Sequence, residues 1–317
     1  MIEWVLSIII ILILLFIYLF NVINQNENKA LFFPSRKKAW KPDIKYKNLY
    51  INTNDVYNVC HSAKEKRKNE SYIHAWHFNQ HKGKPTICFF HGTTGNITNR
   101  KYIIDLCNKF KFNLFLFDYS GYGESSDFPH KYFLRENGET VYNYLNKVAK
   151  IPSEKIIVWT ESLGCITGSY ICSKYNCGGL ILLSGFSSLD DVLVHGLEGY
   201  KKYASQILVN LLSCKMDFLP VKDYIHNIKC PIVVIHSESD EIVPYKCSLI
   251  NYKNIKHKDK LFIEIEGIHS SPKITTKQLR KVFEFFDLPH DEINSHSISN
   301  ILKDIETFAE RHNNFMS

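Results

Sequence analysis

The sequence lacks the cysteine patterns that hold a metal ion or a disulfide framework. Its nine cysteines form no Cys-x-x-Cys pair, and Cys172 with Cys177 has no companion histidine or cysteine at zinc-ligand spacing. Cys88, Cys107 and Cys165 lie inside apolar runs, where cysteine behaves as a small buried hydrophobic residue. We therefore expect no structural metal and a domain that folds in a reducing compartment.

The sequence also lacks a long run of basic residues. Its net charge of +7 comes from scattered lysines, without the interleaved aromatic and basic residues of a nucleic-acid interface. We therefore expect no nucleic-acid partner, and we interpret the excess charge as a solvated face that also suits an anionic membrane surface. With 317 residues, 45% of them hydrophobic and 22% charged, the chain has room for one large folded domain.

The N-terminus carries a long apolar stretch. The segment from Trp4 to Ile23 has no charge over about twenty residues, the length at which a helix crosses the hydrocarbon core of a bilayer. No small-residue cleavage site follows it, as a signal peptide would require. We predict an uncleaved single-pass transmembrane anchor over residues 1–25, with the lipid bilayer as a partner. A basic juxtamembrane spacer is predicted over residues 26–45.

The charges that flank this segment predict its orientation. Lys29 and Arg36 are among the cations that follow the segment, whereas Glu3 precedes it. The positive-inside rule then places the bulk of the chain in the cytosol. The alternative is a lumenal or extracellular domain, in which the acceptor tripeptides that begin at Asn69 and Asn96 would be glycosylated.

Beyond residue 46, short apolar runs alternate with helical patterns. Continuous apolar runs bounded by turn residues are typical of buried parallel strands. The alternation predicts an α/β fold with a mainly parallel central sheet and helices on both faces, over residues 46–317. We interpret the insertion at residues 187–219 either as a small lid or as ordinary helix packing. The main runs are Thr86 to Phe90, Asn113 to Phe117, Lys155 to Trp159, Gly179 to Leu183, Ile232 to Ile235 and Leu261 to Ile265.

A serine lies at the junction of a buried strand and a helical pattern. The segment TESLG at residues 160–164 resembles the G-x-S-x-G nucleophile elbow, in which a strained turn exposes the hydroxyl of the serine, here Ser162. Gly164 provides the close approach of strand and helix that the elbow needs. Thr160 departs from the pattern, because a β-branched residue is bulkier than glycine. The competing interpretation of Ser162 is an ordinary helix N-cap.

A glycine-rich turn, HGTTG at residues 91–95, follows an earlier strand. Two backbone N–H groups aimed at one developing negative oxygen stabilise acyl transfer, and a glycine-rich turn leaves the backbone bare enough to approach that oxygen. We assign the two groups to Thr93 and Leu163. His91 is better placed to shape the turn than to act as a base, and the turn lacks the lysine of a phosphate-binding loop.

A carboxylate and an imidazole follow two later strands. Asp240 comes just after one strand and His269 just after the next. Groups at neighbouring strand ends can reach one another, as a nucleophile, a base and an orienting acid must. Glu238 is the alternative to Asp240 as the orienting acid.

Taken in order, these motifs resemble those of the membrane-anchored α/β-hydrolase-domain serine hydrolases. The resemblance rests on the apolar N-terminal helix, the segment LFFPSR at residues 31–36, a loop similar to HGNAGN, a D-Y-x-G-Y-G-x-S turn from Asp118 to Ser125, the elbow and a late G-x-H. The chain order of serine, aspartate and histidine is also that of the family. The family's D-x-x-V-P spacing favours Asp240 over Glu238.

The resemblance implies esterase, thioesterase or lipase chemistry through an acyl-enzyme, without a cofactor. Ser162, Asp240 and His269 would form the catalytic triad, and the substrate would be an ester or an acyl thioester, since some members of the family remove acyl groups from protein cysteines. The sequence departs from the family at Thr160, at Cys165 and at the Thr-Thr pair of the glycine-rich turn. These departures motivate the alternative function of a catalytically silent scaffold that binds a partner or lipid at the membrane.

Overall fold

The computed structural model describes residues 31–196 and 220–289, in which strands and helices alternate. The strands are β1 (Phe33–Pro34), β2 (Lys47–Asn52), β3 (Val59–Cys60), β4 (Tyr72–Phe78), β5 (Thr86–Phe90), β6 (Thr94–Gly95), β7 (Asn113–Phe117), β8 (Ile156–Glu161), β9 (Gly179–Leu183), β10 (Ile232–Ser237), β11 (Lys260–Ile268) and β12 (Ser271–Lys273). The α-helices are α1 (Lys101–Lys109), α2 (Lys131–Asn143), α3 (Gly164–Lys174), α4 (Leu189–His195), α5 (Val221–Tyr224), α6 (Tyr245–Asn254) and α7 (Thr276–Phe285).

Ten of these strands form one sheet in the order β12-β11-β10-β9-β8-β5-β7-β4-β2-β3. Its central part, from β7 to β11, is parallel, and the strands at both edges pair antiparallel. Apart from β11, at the border of the parallel part, the parallel strands are almost entirely buried, which explains their continuous apolar sequences. The predicted α/β fold with a mainly parallel sheet is confirmed.

The helices cover both faces of the sheet and close two apolar cores. One core joins the sheet to α2 and α3, through residues such as Leu134 and Ile166. The other core joins the opposite face to α1 and α7, through Ile103, Val282 and Phe283 among others. Since the carboxyl ends of the parallel strands meet at one edge of the sheet, residues that follow β5, β8, β10 and β11 are brought to the same side of the domain.

Residues 31–45, which the sequence predicts to be a spacer, pack along the domain. Phe32 is buried in the first core, and β1 pairs parallel with β6, the short strand at the end of the glycine-rich turn. The reason is hydrogen bonding by the backbone, which a polar and basic composition does not reveal.

Two predictions fall outside the described residues. The predicted anchor at residues 1–25 and most of the predicted lid, residues 197–219, belong to the undescribed segments. Over residues 31–196 and 220–289, no helix combines the length and the apolarity that a bilayer-spanning helix needs.

Candidate active site

The turn between β8 and α3 places Ser162 in a conformation that favours glycine. Its φ is +51°, in the left-handed region that non-glycine residues rarely adopt. Ser162 N–H donates to the carbonyl of Leu183, which ties the turn to β9. A Cβ added to Gly164 would lie less than 3.0 Å from the carbonyl oxygen of Phe90, so the helix can approach β5 only with glycine there. The turn therefore has the strained backbone that the elbow motif predicts.

Thr160 is accommodated in this turn by two neighbouring positions. Its hydroxyl donates to the carbonyl of Ile181 at 2.7 Å and lies 3.1 Å from the Sγ of Cys165. Its methyl group fills the space that Gly168 leaves open, since a Cβ on Gly168 would lie less than 3.0 Å from that methyl group. Cys165 in turn faces Gly185. The two family departures, Thr160 and Cys165, are therefore packed against glycines on α3 and after β9.

Ser162, His269 and Asp240 form one chain of hydrogen bonds. The Oγ of Ser162 lies 2.9 Å from Nε2 of His269, and Nδ1 of His269 lies 2.7 Å from Oδ2 of Asp240. These distances are short enough for the contacts that a nucleophile, a base and a group that orients the base require. Glu238, the alternative orienting acid, is exposed.

Asp240 is held by its own loop and by a second histidine. Its Oδ1 accepts the backbone N–H groups of Ile242 and Val243, at 3.0 and 2.7 Å. Its Oδ2 lies 3.1 Å from Nε2 of the buried His236. The fully buried carboxylate is thus fixed at both oxygens.

These contacts shift the pKa values of both groups. Burial raises the pKa of Asp240, but hydrogen bonds from His236, His269 and Val243 outweigh it and hold that pKa well below its ordinary value. Burial lowers the pKa of His269, but the hydrogen bond and the charge of Asp240 raise it by more than burial lowers it. The pKa of His269 therefore lies above its ordinary value. The arrangement therefore pairs an ionised carboxylate with an imidazole that readily accepts a proton.

The glycine-rich turn lies against Ser162. A Cβ on Gly92 would lie 3.5 Å from the Cβ of Ser162, which places the turn beside the hydroxyl. The imidazole of the buried His91 donates from Nδ1 to the Gly92 carbonyl at 2.7 Å. Burial is the largest cause that lowers the pKa of His91, to about 4, so the ring is neutral near pH 7 and shapes the turn.

Two backbone N–H groups remain available at this turn. Thr93 follows Gly92, and Leu163 follows Ser162 at the start of α3, where the helix dipole favours negative charge. Among residues 31–196 and 220–289, neither N–H group has a hydrogen-bond acceptor. The arrangement can therefore offer two donors to an oxygen bound beside the Ser162 hydroxyl.

Three polar residues of the site were missed by sequence reasoning. His236 contacts Asp240, Glu241 accepts the backbone N–H of His269 at 2.9 Å, and the charge of Glu161 also raises the pKa of His269. The only sequence signal for His236 is its position at the end of a strand, four residues before Asp240. Glu161 and Glu241 occupy variable positions of the elbow and of the D-x-x-V-P segment, so neither motif marks them, and their proximity to His269 depends on the folded chain.

Comparison with known proteins agrees with the fold. A family model for the alpha/beta hydrolase fold matches residues 85–213. An uncharacterized protein of Acanthamoeba polyphaga mimivirus is 29% identical over 222 residues, which cover 63% of this chain and 72% of that protein. The human alpha/beta hydrolase domain-containing protein 17C is 26% identical over 209 residues, 65% of this chain and 59% of that protein. The chain thus spans less than two thirds of the length of the human relative.

Solved structures show the same fold. An esterase of Pyrococcus furiosus superposes with a TM-score of 0.59 at 19% identity, over 80% of this chain and 98% of the esterase. At this identity the likeness concerns the arrangement of strands and helices.

Proposed function

We propose that this chain, which belongs to the α/β-hydrolase family, is a membrane-anchored serine hydrolase that cleaves carboxylic esters or thioesters. The observation that carries the proposal is the hydrogen-bonded chain from Ser162 through His269 to Asp240, with Ser162 on a strained strand-to-helix turn. A scaffold without activity would have no use for a strained serine aligned with an oriented base.

In the proposed mechanism the Oγ of Ser162 attacks the carbonyl carbon, and its proton passes to Nε2 of His269. The carbonyl oxygen of the substrate becomes negative and accepts hydrogen bonds from the N–H groups of Thr93 and Leu163. His269 then protonates the departing alcohol or thiol as the bond to the carbonyl carbon breaks. Water attacks the acyl-enzyme, gives one proton to His269 and releases the acid, after which Ser162 regains its proton. Asp240 stays ionised throughout and stabilises the imidazolium.

The position of residue 31 supports a substrate presented at a membrane surface. The hydroxyl of Thr93 donates to the Leu31 carbonyl. Five residues lie between residue 25, the end of the predicted anchor, and residue 31, which makes six steps along the chain, and an extended chain covers at most about 3.6 Å per step. The proposed oxyanion site is then tethered within about 20 to 25 Å of the bilayer surface. Lipid esters and acylated proteins are the ester and thioester substrates found at that surface.

A fluorophosphonate probe tests the proposal, since it reacts with an activated serine. The full chain in detergent micelles is expected to be labelled, and Ser162→Ala to lose the label. Ser173→Ala is the matched control, because Ser173 lies on α3, eleven residues after Ser162, and its hydroxyl donates to the Tyr170 carbonyl at 2.7 Å. Equal labelling of the wild type and Ser162→Ala would remove Ser162 as the nucleophile.

Hydrolysis of matched esters and thioesters then shows which of the two bonds the protein cleaves. A series of p-nitrophenyl esters and acyl thioesters of increasing chain length is expected to show turnover that depends on Ser162. A folded protein that is neither labelled nor active would favour the scaffold function instead.

A further inference from the structure

Residues 31–39, which we call the N-terminal strap, run across the glycine-rich turn. The strap pairs with it through β1, since Phe33 N–H donates to the Thr93 carbonyl and Ser35 N–H to the Gly95 carbonyl, both at 3.1 Å. Phe32 is 5% exposed and fixes the strap in the core. The strap is therefore a part of the folded domain that borders the candidate site.

The strap and one tyrosine satisfy the polar groups of Thr93 other than its N–H. The Thr93 carbonyl accepts from Phe33 N–H and from the hydroxyl of Tyr122 at 2.7 Å, and the Thr93 hydroxyl donates to the Leu31 carbonyl. The Thr93 N–H shares a planar peptide unit with the Gly92 carbonyl, which His91 holds at 2.7 Å. The strap holds the Thr93 carbonyl and side chain on the other side of this unit, so rotation about the bonds of the Thr93 Cα, which would turn the N–H, is restricted.

Arg36 ties the strap to the rest of the domain. Its guanidinium donates to the carbonyls of Ser125 at 2.9 Å and Asp127 at 3.0 Å, and more weakly to Gly123 at 3.4 Å. The Gly123 N–H returns a hydrogen bond to the Ser35 carbonyl at 3.0 Å. These contacts cross about ninety residues of chain, and only a planar fork of donors can make them together.

We infer that the N-terminal strap positions the Thr93 N–H for the oxyanion, with Arg36 as the positioning residue that holds the strap in place. The inference rests on the proposed function, since it concerns the same site. It makes the segment between the predicted anchor and the hydrolase domain a part of the transition-state machinery. An arginine outside the catalytic triad should therefore control kcat.

The test compares Arg36→Ala with Lys37→Ala in the full chain in micelles. Both variants lose one positive charge from the strap, but the exposed side chain of Lys37 has no polar partner among the described residues. Loss of one oxyanion donor costs about 100-fold to 1,000-fold in kcat, so a misplaced donor is expected to cost about tenfold. KM is expected to stay within about twofold, because the donor acts mainly on the transition state.

An oxyanion analogue separates positioning from a structural role. An alkyl trifluoromethyl ketone forms a tetrahedral oxyanion with the serine, and its inhibition constant is expected to weaken by the same factor as kcat. Arg36→Lys is expected to recover only part of kcat, because an ammonium group cannot reach three carbonyls as a fork does. If Arg36→Ala does not fold, Thr93→Val still cuts the hydroxyl bond to Leu31, and Thr93→Ser should restore it.

The outcomes distinguish the inference from the proposed function. Hydrolysis that requires Ser162 but is the same in Arg36→Ala and Lys37→Ala would overturn the role of the strap alone. A parallel loss of substrate affinity and thermal stability, without a change in kcat, would also overturn it. Hydrolysis that survives in Ser162→Ala would overturn the proposed function and this inference with it.

Discussion

Replacing Gly168 by alanine should destabilise the protein only while Thr160 keeps its methyl group. The added Cβ would lie less than 3.0 Å from that methyl group and 3.0 Å from a Cγ of Val158. Overpacking of a filled core costs about 1 to 3 kcal/mol, so we expect Gly168→Ala to lower the free energy of unfolding by about 2 kcal/mol. Thr160→Ser removes the methyl group but keeps the hydroxyl that donates to Ile181, and should cost about 1 kcal/mol.

The double variant places a methyl group at position 168 in the space left at position 160. We expect the double variant to lose about 1 kcal/mol of its free energy of unfolding. The two single changes together would cost about 3 kcal/mol, so the difference is a coupling energy of about 2 kcal/mol. Urea unfolding followed by tryptophan fluorescence measures these free energies. The unfolding midpoints of the variants are compared with the dependence of the free energy on urea concentration held at one common slope.

The control pairs Gly168→Ala with Thr167→Ser. Thr167 is buried beside Gly168, but its methyl group faces Gly138 on α2. The losses in free energy of unfolding from these two changes are expected to add within about 0.5 kcal/mol. If Thr160→Ser and Gly168→Ala also add, the methyl group of Thr160 does not use the space at Gly168, and the account of how the elbow accepts threonine is wrong.

Three further variants test the site. Asp240→Asn should fold but lower kcat in steady-state hydrolysis by about 1,000-fold to 10,000-fold, since the imidazole loses its orienting charge; a loss under tenfold would contradict this. Because Asp240 raises the pKa of His269 and the neutral ring is the base, kcat/KM should rise with pH through a midpoint above 6.5. Glu241→Gln should lower that midpoint, and an unchanged pH profile would count against it. Gly164→Ala should lose probe labelling and cost about 3 kcal/mol or more in urea unfolding, because the Phe90 carbonyl cannot move aside.

Sequence reasoning located the parallel strands well. β5, β7 and β9 have the same bounds as the apolar runs, because a strand buried on both faces leaves a continuous signal in the sequence. The edge strands β1, β3 and β12 have only two or three residues each, too short for any periodic pattern.

The candidate site was predictable where it follows strand ends and not where it depends on packing. Ser162 and His269 come directly after strands and Asp240 comes three residues after one, so topology alone brings them to one edge of the sheet. The fit of Thr160 against Gly168 joins a strand to the helix after it, and no local pattern reports whether two such side chains have room. The N-terminal strap depends on backbone carbonyls, which every residue has and no residue type marks.

Trapping the acyl-enzyme shows which residue carries the acyl group during turnover. The wild-type chain is mixed with a long-chain p-nitrophenyl ester, quenched in acid during turnover and digested with trypsin. Residues 156–174 form one tryptic peptide that contains both Ser162 and Cys165. We predict that this peptide carries the acyl mass, that fragmentation locates it on Ser162, and that Ser162→Ala lacks it. An acyl group on Cys165 or elsewhere, or turnover that continues in Ser162→Ala, would contradict the account.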